Sequence, residues 1–342
     1  MTESGKARKR RTWSSFGDVR KMPSDYEVMT HDANWTLRPG RKAAFEQNPS
    51  SPANLWFLTY RDKSPLQVPE WNKYRDPDKL IYRSYVTMQS DQETRLGGIL
   101  EDYAEAGTDA KLSPQWVQTL AHLFTPTRFP LHGMQQIQAY VGHMAPSSYI
   151  TTAAAFGAAD LLRRVTVVAY RTRELELAHP ASGIGNQERR IWETEPAWQG
   201  VRKVIETALI AYDWAEAFTA LNLVVLPTLD EVLLGRLGAL ARDNGDDLTW
   251  LVTQNLQDDS RRRDRWAGEL AAFAIRERME NTDVLKRWID RWSPRVDDAV
   301  AQLGTLFEAL PERGQPAGEI AEAGRRARLA LHEKVGLAPA GV

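Results

Sequence analysis

The feature that most constrains this chain is a set of long segments that lack helix-breaking residues. The segments from Ser147 to about Ala178 and from about 246 to 280 each contain no proline and a single glycine. Helices of more than 25 residues with few breakers are typical of long-helix bundles. We therefore predict an all-α fold, a ferritin-like long-helix bundle.

Capping and breaking residues set the expected helix boundaries. Ser113 followed by Pro114 indicates an N-cap with proline at the first helical position, and Thr125-Pro126 ends that helix. We expect Pro227, Asn244-Gly245, Asn281 and Pro294 to separate later helices. The further helices predicted in this way span about 128–144, 147–178, 197–226, 228–243, 246–280, 282–292, 295–310 and 317–335.

The first 77 residues differ from the rest in composition. Residues 1–12 carry a cluster of basic residues without apolar partners, which predicts a disordered tail. Residues 13–77 combine many prolines with many aromatic rings, which predicts an extended, mostly irregular arm. An arm with so many rings must lie on a surface, its own or a partner's, and we favour the partner's. Residues 78–310 form the predicted helical domain, and 311–342 a C-terminal extension with one short helix.

Composition excludes several classes of protein. The chain has no cysteine, so it holds no disulfide, thiol nucleophile, zinc–thiolate site or cysteine-ligated iron–sulfur cluster. A formal net charge of -1 argues against nucleic-acid or membrane-surface partners. The basic start is not followed by an apolar stretch, and no apolar run approaches the roughly 20 residues that span a bilayer. We expect a soluble, cytoplasmic protein.

A bundle of this size raises the question of a di-iron centre. Such a centre needs a glutamate from each of two helices and a Glu-x-x-His pair from each of the other two. The sequence contains one Glu-x-x-His, Glu176 to His179, in the last turn before Pro180. Nor does it contain a phosphate-binding loop, a dinucleotide fingerprint or a nucleophile elbow. We predict no catalytic, cofactor-binding or metal-binding residue in this chain.

Two acid–arginine pairs occupy the long helices instead. Asp160 and Arg163, like Asp259 and Arg262, are three positions apart. A helix between them carries the acids Glu206, Asp213 and Glu216. One interpretation is exposed pairs worth a few tenths of a kcal/mol each, which spacing alone favours. The other is a buried site in which a fixed positive charge replaces a metal.

Several motifs resemble the β subunits of toluene, alkene and isoprene monooxygenase hydroxylases, bacterial multicomponent di-iron enzymes. The resemblance runs in one register from about residue 11 to 310 and does not extend to 311–342. The motifs that carry it are Arg11-Thr-Trp-Ser, Met22-Pro-Ser-Asp-Tyr-Glu27, Ser51-Pro-Ala-Asn-Leu-Trp-Phe57 with Tyr60-Arg61, Asp76-Pro-Asp-Lys-Leu-Ile-Tyr-Arg-Ser-Tyr85, Ala169-Tyr-Arg-Thr-Arg-Glu-Leu175, Trp192-Glu-Thr-Glu-Pro-Ala-Trp-Gln-Gly200, Asp213-Trp-Ala-Glu-Ala-Phe218 and Leu221-Asn-Leu-Val-Val225.

The resemblance implies a non-catalytic structural subunit that works with α and γ subunits in an (αβγ)2 assembly. In that family the α subunit holds the di-iron centre and oxidises a hydrocarbon. NADH, FAD and a Rieske 2Fe-2S cluster belong to partner components, and an effector protein and the Rieske ferredoxin dock on the complex. Asp160/Arg163 and Asp259/Arg262 would then be counterparts of the two Glu-x-x-His pairs, which makes the buried interpretation as strong as the exposed one.

The resemblance also implies that the aromatic arm wraps a neighbouring subunit. The interface residues expected on this basis are Trp13, Trp35, Trp56, Phe57, Tyr60, Tyr82 and Tyr85. Two alternatives stay open at this point, a stand-alone di-iron oxidase and a helical scaffold of an unrelated assembly.

Overall fold

The computed structural model of the chain describes residues 24–30, 52–310 and 313–337. Within these ranges the regular structure is helical, with no strand, which confirms the predicted all-α bundle. The α-helices are α1 (Asp25–Thr30), α2 (Pro52–Phe57), α3 (Tyr82–Glu105), α4 (Pro114–Thr119), α5 (Arg128–Met144), α6 (Ser148–Ala178), α7 (Glu188–Thr194), α8 (Pro196–Ala208), α9 (Trp214–Phe218), α10 (Leu226–Asp230), α11 (Leu237–Asp243), α12 (Asp247–Glu277), α13 (Asn281–Glu308) and α14 (Ala317–Lys334).

The helices around the α5–α6 turn begin and end where the sequence places them. The Ser147 hydroxyl accepts a hydrogen bond from the backbone N–H of Tyr149 and so caps α6. The Ser113 hydroxyl accepts from Trp116 and caps α4 in the same way. Both caps satisfy backbone donors that have no partner within the helix, which confirms the predicted starts.

The prediction that Pro227 separates two helices is wrong. One continuous helical stretch runs from Trp214 to Asp243 through α9, α10 and α11. Wider π-helical turns, Thr219–Val225 and Glu231–Arg236, join the three α-helices. A π-turn shifts the hydrogen-bond register by one residue, so Pro227 falls in the first turn after that shift, where its missing N–H is tolerated.

The prediction that Pro294 is a boundary is wrong as well, since Pro294 lies inside α13. Both Pro294 and Asp290 lie on the exposed side of the helix. Water can therefore satisfy the carbonyl that loses its donor to the proline. Trp292 and Val296 on either side are buried and keep the helix packed through the break.

The core is unusually rich in tryptophan. Trp116, Trp198, Trp214, Trp266 and Trp292 are all fully buried. The most apolar stretch within Trp214–Asp243 is long enough to span a membrane, but 94% of it is buried inside the bundle. Within the described residues this is the one such helix, and it packs as the central helix of the core.

The described part of the arm packs on the chain's own bundle. The Trp71 ring meets the Trp214 ring edge-on at a centroid distance of 5.2 Å. The Tyr74 hydroxyl donates a hydrogen bond of 3.0 Å to the carbonyl of Trp266. Of the two surfaces that the sequence left open, these residues use the chain's own.

Candidate functional site

The two long helices α6 and α12 bring together the four residues of the acid–arginine pairs. The Arg163 Nη1 atom lies 2.9 Å from Asp259 Oδ2, and the Arg262 guanidinium contacts the Asp160 carboxylate. The ion pairs therefore cross between antiparallel helices instead of forming within one helix. Asp160, Asp259 and Arg262 are 3%, 1% and 4% exposed, so the surface interpretation does not hold for these three.

Helix α3 closes this cluster from the side. The Gln89 Nε2 atom donates to Asp160 Oδ1 at 2.8 Å and to Asp259 Oδ1 at 2.9 Å. The Tyr85 hydroxyl donates to Asp160 Oδ1 at 2.8 Å, and its ring stacks on Phe156. Burial raises the pKa of Tyr85 to about 12, which keeps this proton in place.

A second layer lies beneath the first and depends on Asp230 at the end of α10. Arg164 Nη1 lies 2.7 Å from Asp230 Oδ1, and Arg263 contacts the other carboxylate oxygen. Burial alone would raise the pKa of Asp230, but the two guanidiniums outweigh it and lower the pKa below its usual value. Arg164 also donates to Ser260 Oγ at 2.7 Å.

Four residues of the two layers were not predicted from the sequence: Gln89, Arg164, Asp230 and Arg263. One signal was available: the pattern Asp-x-x-Arg-Arg is present on both long helices, at 160–164 and at 259–263. Its repetition on two long helices indicates a paired arrangement. Nothing comparable marks Gln89 or Asp230, because their partners come from other helices.

The acids predicted between the two pairs lie elsewhere. Asp213 caps α9, where its Oδ1 atom accepts from two backbone N–H groups and from Ser64. Glu216 pairs with Arg291, and Glu206 pairs with Arg202 on the surface. These three acids, which the sequence places between the two pairs, therefore do not belong to the cluster.

The cluster residues do not fit a metal centre. A guanidinium has no lone pair to offer a metal, and here it already occupies the carboxylate that would bind one. No group of three or more His, Cys, Asp or Glu side chains that could hold a metal occurs among the described residues. His179, from the one Glu-x-x-His, instead contacts the carbonyl of Asp109 at 2.7 Å. What the cluster can do is fix the register of α3, α6 and α12.

The predicted interface residues fall into three groups. Trp13 and Trp35 lie outside the described residues. Tyr85 belongs to the buried cluster at 8% exposure, so its assignment to an interface is corrected. The others are accessible: Tyr82 is 74% exposed and Trp56 37%, while Phe57 and Tyr60 are half-buried.

The Trp56 side chain is held in place by residues of this chain. Its Nε1 atom donates to the Tyr140 hydroxyl at 2.9 Å, and its ring contacts those of Tyr60 and Tyr212. The ring therefore lies on this chain's own α5 and on the loop before α9, with one side open.

Comparison with known proteins identifies the family to which this chain belongs. The sequence model of the methane/phenol/alkene hydroxylase family matches residues 56–278. The chain belongs to this family. It is 38% identical over 289 residues to the β subunit of the toluene-4-monooxygenase hydroxylase component of Ectopseudomonas mendocina, an alignment that covers 84% of this chain and 88% of that one. It is thus a hydroxylase β subunit of a multicomponent monooxygenase.

A solved structure of toluene 4-monooxygenase with toluene in its resting active site superposes with a TM-score of 0.83 at 37% identity. The superposition covers 89% of this chain and 99% of that one. Two oxygenase components of phenol 2-monooxygenase from Pseudomonas sp. CF600 also match. DmpL is 22% identical, with 87% of each chain covered, and DmpN is 23% identical, with 75% of this chain and 50% of DmpN covered. DmpL and the longer DmpN, two components of one oxygenase, are therefore both related to this chain.

Proposed function

We propose that this chain is a non-catalytic, structural β subunit, and that a larger α subunit carries the di-iron centre of the hydroxylase. The observation that supports this most directly is the cluster of Asp160, Arg163, Asp259 and Arg262. Each carboxylate lies against a guanidinium from the other long helix. On this proposal the four residues are the counterparts of the two Glu-x-x-His pairs of a di-iron bundle. Buried ion pairs of this kind fix the register of α6 against α12, and they leave no carboxylate available to bind a metal.

The complete enzyme, on this proposal, is an NADH-dependent monooxygenase that hydroxylates or epoxidises a hydrocarbon: an aromatic, an alkene or isoprene. The relationship to the toluene-4-monooxygenase β subunit supports the substrate class, and the α subunit selects the substrate. The assembly is (αβγ)2 and cytoplasmic. FAD and a Rieske 2Fe-2S cluster belong to the electron-transfer components, and an effector protein docks on the hydroxylase.

Native mass spectrometry of the tagged chain, purified gently from its own host, tests this proposal when iron is quantified in the same particle. We expect equal copies of this chain, a larger chain and a small one, with about two irons per larger chain. A monomer or homo-oligomer that carries its own two irons would overturn the structural role. An iron-free particle without the larger chain would contradict the assignment of a partner.

A further inference from the structure

In the ion-pair cluster of Asp160, Arg163, Asp259 and Arg262, the two carboxylates converge on one point. The Gln89 Nε2 atom lies 2.8 Å from Asp160 Oδ1 and 2.9 Å from Asp259 Oδ1. The two acids come from different helices, α6 and α12, so the packing of the bundle produces this convergence. To coordinate a cation placed at that point, each oxygen would move by roughly 0.7 Å, to the length of a metal–carboxylate bond.

The charge of the cluster also matches that of a metal site. Arg163 and Arg262 carry permanent positive charges, and together they neutralise the two buried carboxylates. A buried pair of carboxylates without such partners would be strongly destabilising. One divalent cation supplies the same two charges in a much smaller volume. The interior therefore requires a doubly positive charge at this place, whichever group provides it.

The two arginines stand at the positions where a di-iron bundle has histidine. Arg163 and Arg262 each follow an aspartate by three residues on the same helix, which is the spacing of Glu-x-x-His. Residues three apart lie on the same face of a helix, so a histidine at either position would face the cluster as the arginine does. Imidazole offers a metal the lone pair that guanidinium lacks.

Helix α3 adds a donor atom from a third helix. Gln89 is 9% exposed, and its Oε1 atom has no hydrogen-bond partner among the described residues. A half-turn of the amide brings this oxygen to the point that Nε2 now occupies between the carboxylates. An acceptor left open in a buried polar cluster is suited to a cation. Carboxylate, imidazole and amide oxygen together are a donor set for Fe²⁺, Co²⁺ or Zn²⁺.

We propose that the ion-pair cluster is a latent divalent-metal site, in which Arg163 and Arg262 take the place of the ion and are the residues that exclude it. Exchange of both for histidine gives this chain a metal site of its own, built from two Asp-x-x-His pairs with Gln89 beside them. The inference goes beyond the proposed function, because it concerns the chain alone and follows from the geometry of the cluster whatever the chain assembles with.

Cobalt binding to the full-length chain, without an affinity tag, tests this inference. We expect Arg163→His with Arg262→His to bind about one Co²⁺ per chain, measured by equilibrium dialysis. The wild type, in which the guanidiniums remain, should bind Co²⁺ at least roughly tenfold more weakly. Added Co²⁺ should raise the Tm of the histidine variant and not that of the wild type, because an ion that binds only the folded state stabilises it.

Two control variants separate new ligands from lost charge. Arg163→Met with Arg262→Met removes the same charges and adds no imidazole, so it should bind Co²⁺ more weakly than the histidine variant. Adding Asp160→Asn and Asp259→Asn to the histidine variant keeps the side-chain shapes but removes both carboxylates, and Co²⁺ binding should be lost.

Three results would overturn the inference. If the histidine variant binds no more Co²⁺ than the wild type, the cluster is not a latent metal site, whereas the proposed function stands or falls on the iron and the partners of the native particle. If the methionine variant binds Co²⁺ as tightly as the histidine variant, positions 163 and 262 are not ligand positions. If the histidine variant is unfolded on its own, Co²⁺ added during refolding must restore its helical circular dichroism, and failure to do so counts against the inference.

Discussion

Two buried titratable groups, Asp230 and His332, differ in the charge state that their surroundings favour: Asp230 stays charged and His332 stays neutral. Asp230 lies between Arg164 and Arg263, which keep it charged and lower its pKa. His332 on α14 is 1% exposed, and its Nε2 atom lies 2.7 Å from the carbonyl of Leu223. Burial, followed by the nearby positive charge of Arg328, lowers the pKa of His332 to about 4. The imidazole is therefore neutral at pH 7.

The difference between these regions concerns what each contact depends on. Around Asp230 the contact between helices depends on charges that neutralise one another, so removing one charge exposes its partners to a dry interior. Around His332 it depends on the absence of charge, so adding one is costly. Single substitutions around Asp230 should therefore lower the free energy of unfolding most strongly, whereas around His332 a change of pH should do so.

The largest expected effect is that of Asp230→Ala. It leaves both Arg164 and Arg263 buried without their shared carboxylate, at 3% and 5% exposure. We expect a loss of about 3–5 kcal/mol in the free energy of unfolding. The measurement is the urea-unfolding midpoint followed by circular dichroism. Asp264→Ala is the control, because Asp264 also contacts Arg263 but its side chain is 38% exposed. A loss below about 1 kcal/mol in Asp230→Ala would show that the charges around it are not mutually dependent.

A double-mutant cycle on Arg163 and Asp259 should show a smaller effect. Asp259→Leu alone leaves Arg163 without its buried partner and should cost about 3 kcal/mol. Adding Arg163→Met should return most of that loss, because replacing both members of a buried pair by apolar groups is often nearly neutral. Gln89 keeps Asp160 as a partner in both variants. Strictly additive losses in urea unfolding would argue against a closed ion pair.

The sequence was sufficient for the parts of the fold that depend on local contacts. The range 128–144 and the Ser147 cap of α6 need only a breaker and a hydroxyl near the helix end, and both are confirmed. Pro227 and Pro294 misled because tertiary context decides whether a proline ends a helix. At Pro227 a π-turn shifts the hydrogen-bond register, so the helix continues past the proline. At Pro294 the carbonyl without a donor lies on the exposed side of α13, where water can satisfy it.

Only part of the candidate site could be predicted from the sequence. Spacing picked out Asp160, Arg163, Asp259 and Arg262, which meet in one cluster. It could not reveal that the pairs cross between helices, since that depends on the relative register of α6 and α12. Asp230 and Gln89 complete the cluster from helices far away in sequence, so no local pattern identifies them. The role of the four residues as a replaced metal site stays a prediction.

The smallest expected effect is an acid-dependent loss of stability through His332. Its folded pKa of about 4 lies below the ordinary value of 6.5. The unfolded chain therefore binds the extra proton first, so stability is complete above pH 6.5 and falls as the pH drops toward 4. Between pH 7 and pH 4.5 this shift in pKa corresponds to a loss on the order of 2–3 kcal/mol in the free energy of unfolding. Unfolding free energies at pH 7 and pH 4.5 measure it.

His332→Gln removes the titrating ring but keeps an N–H donor for the Leu223 carbonyl. We expect this variant to lose less stability than the wild type between pH 7 and pH 4.5. His132→Gln is the control, since His132 is exposed on α5. Arg328 lies one turn before His332 on α14 and pairs with Asp297 of α13, so Asp297→Asn should be measured in parallel. If His332→Gln follows the wild-type pH curve while Asp297→Asn flattens it, the acid sensitivity belongs to the ion pair. The contrast between a region kept charged and a region kept neutral would then fail.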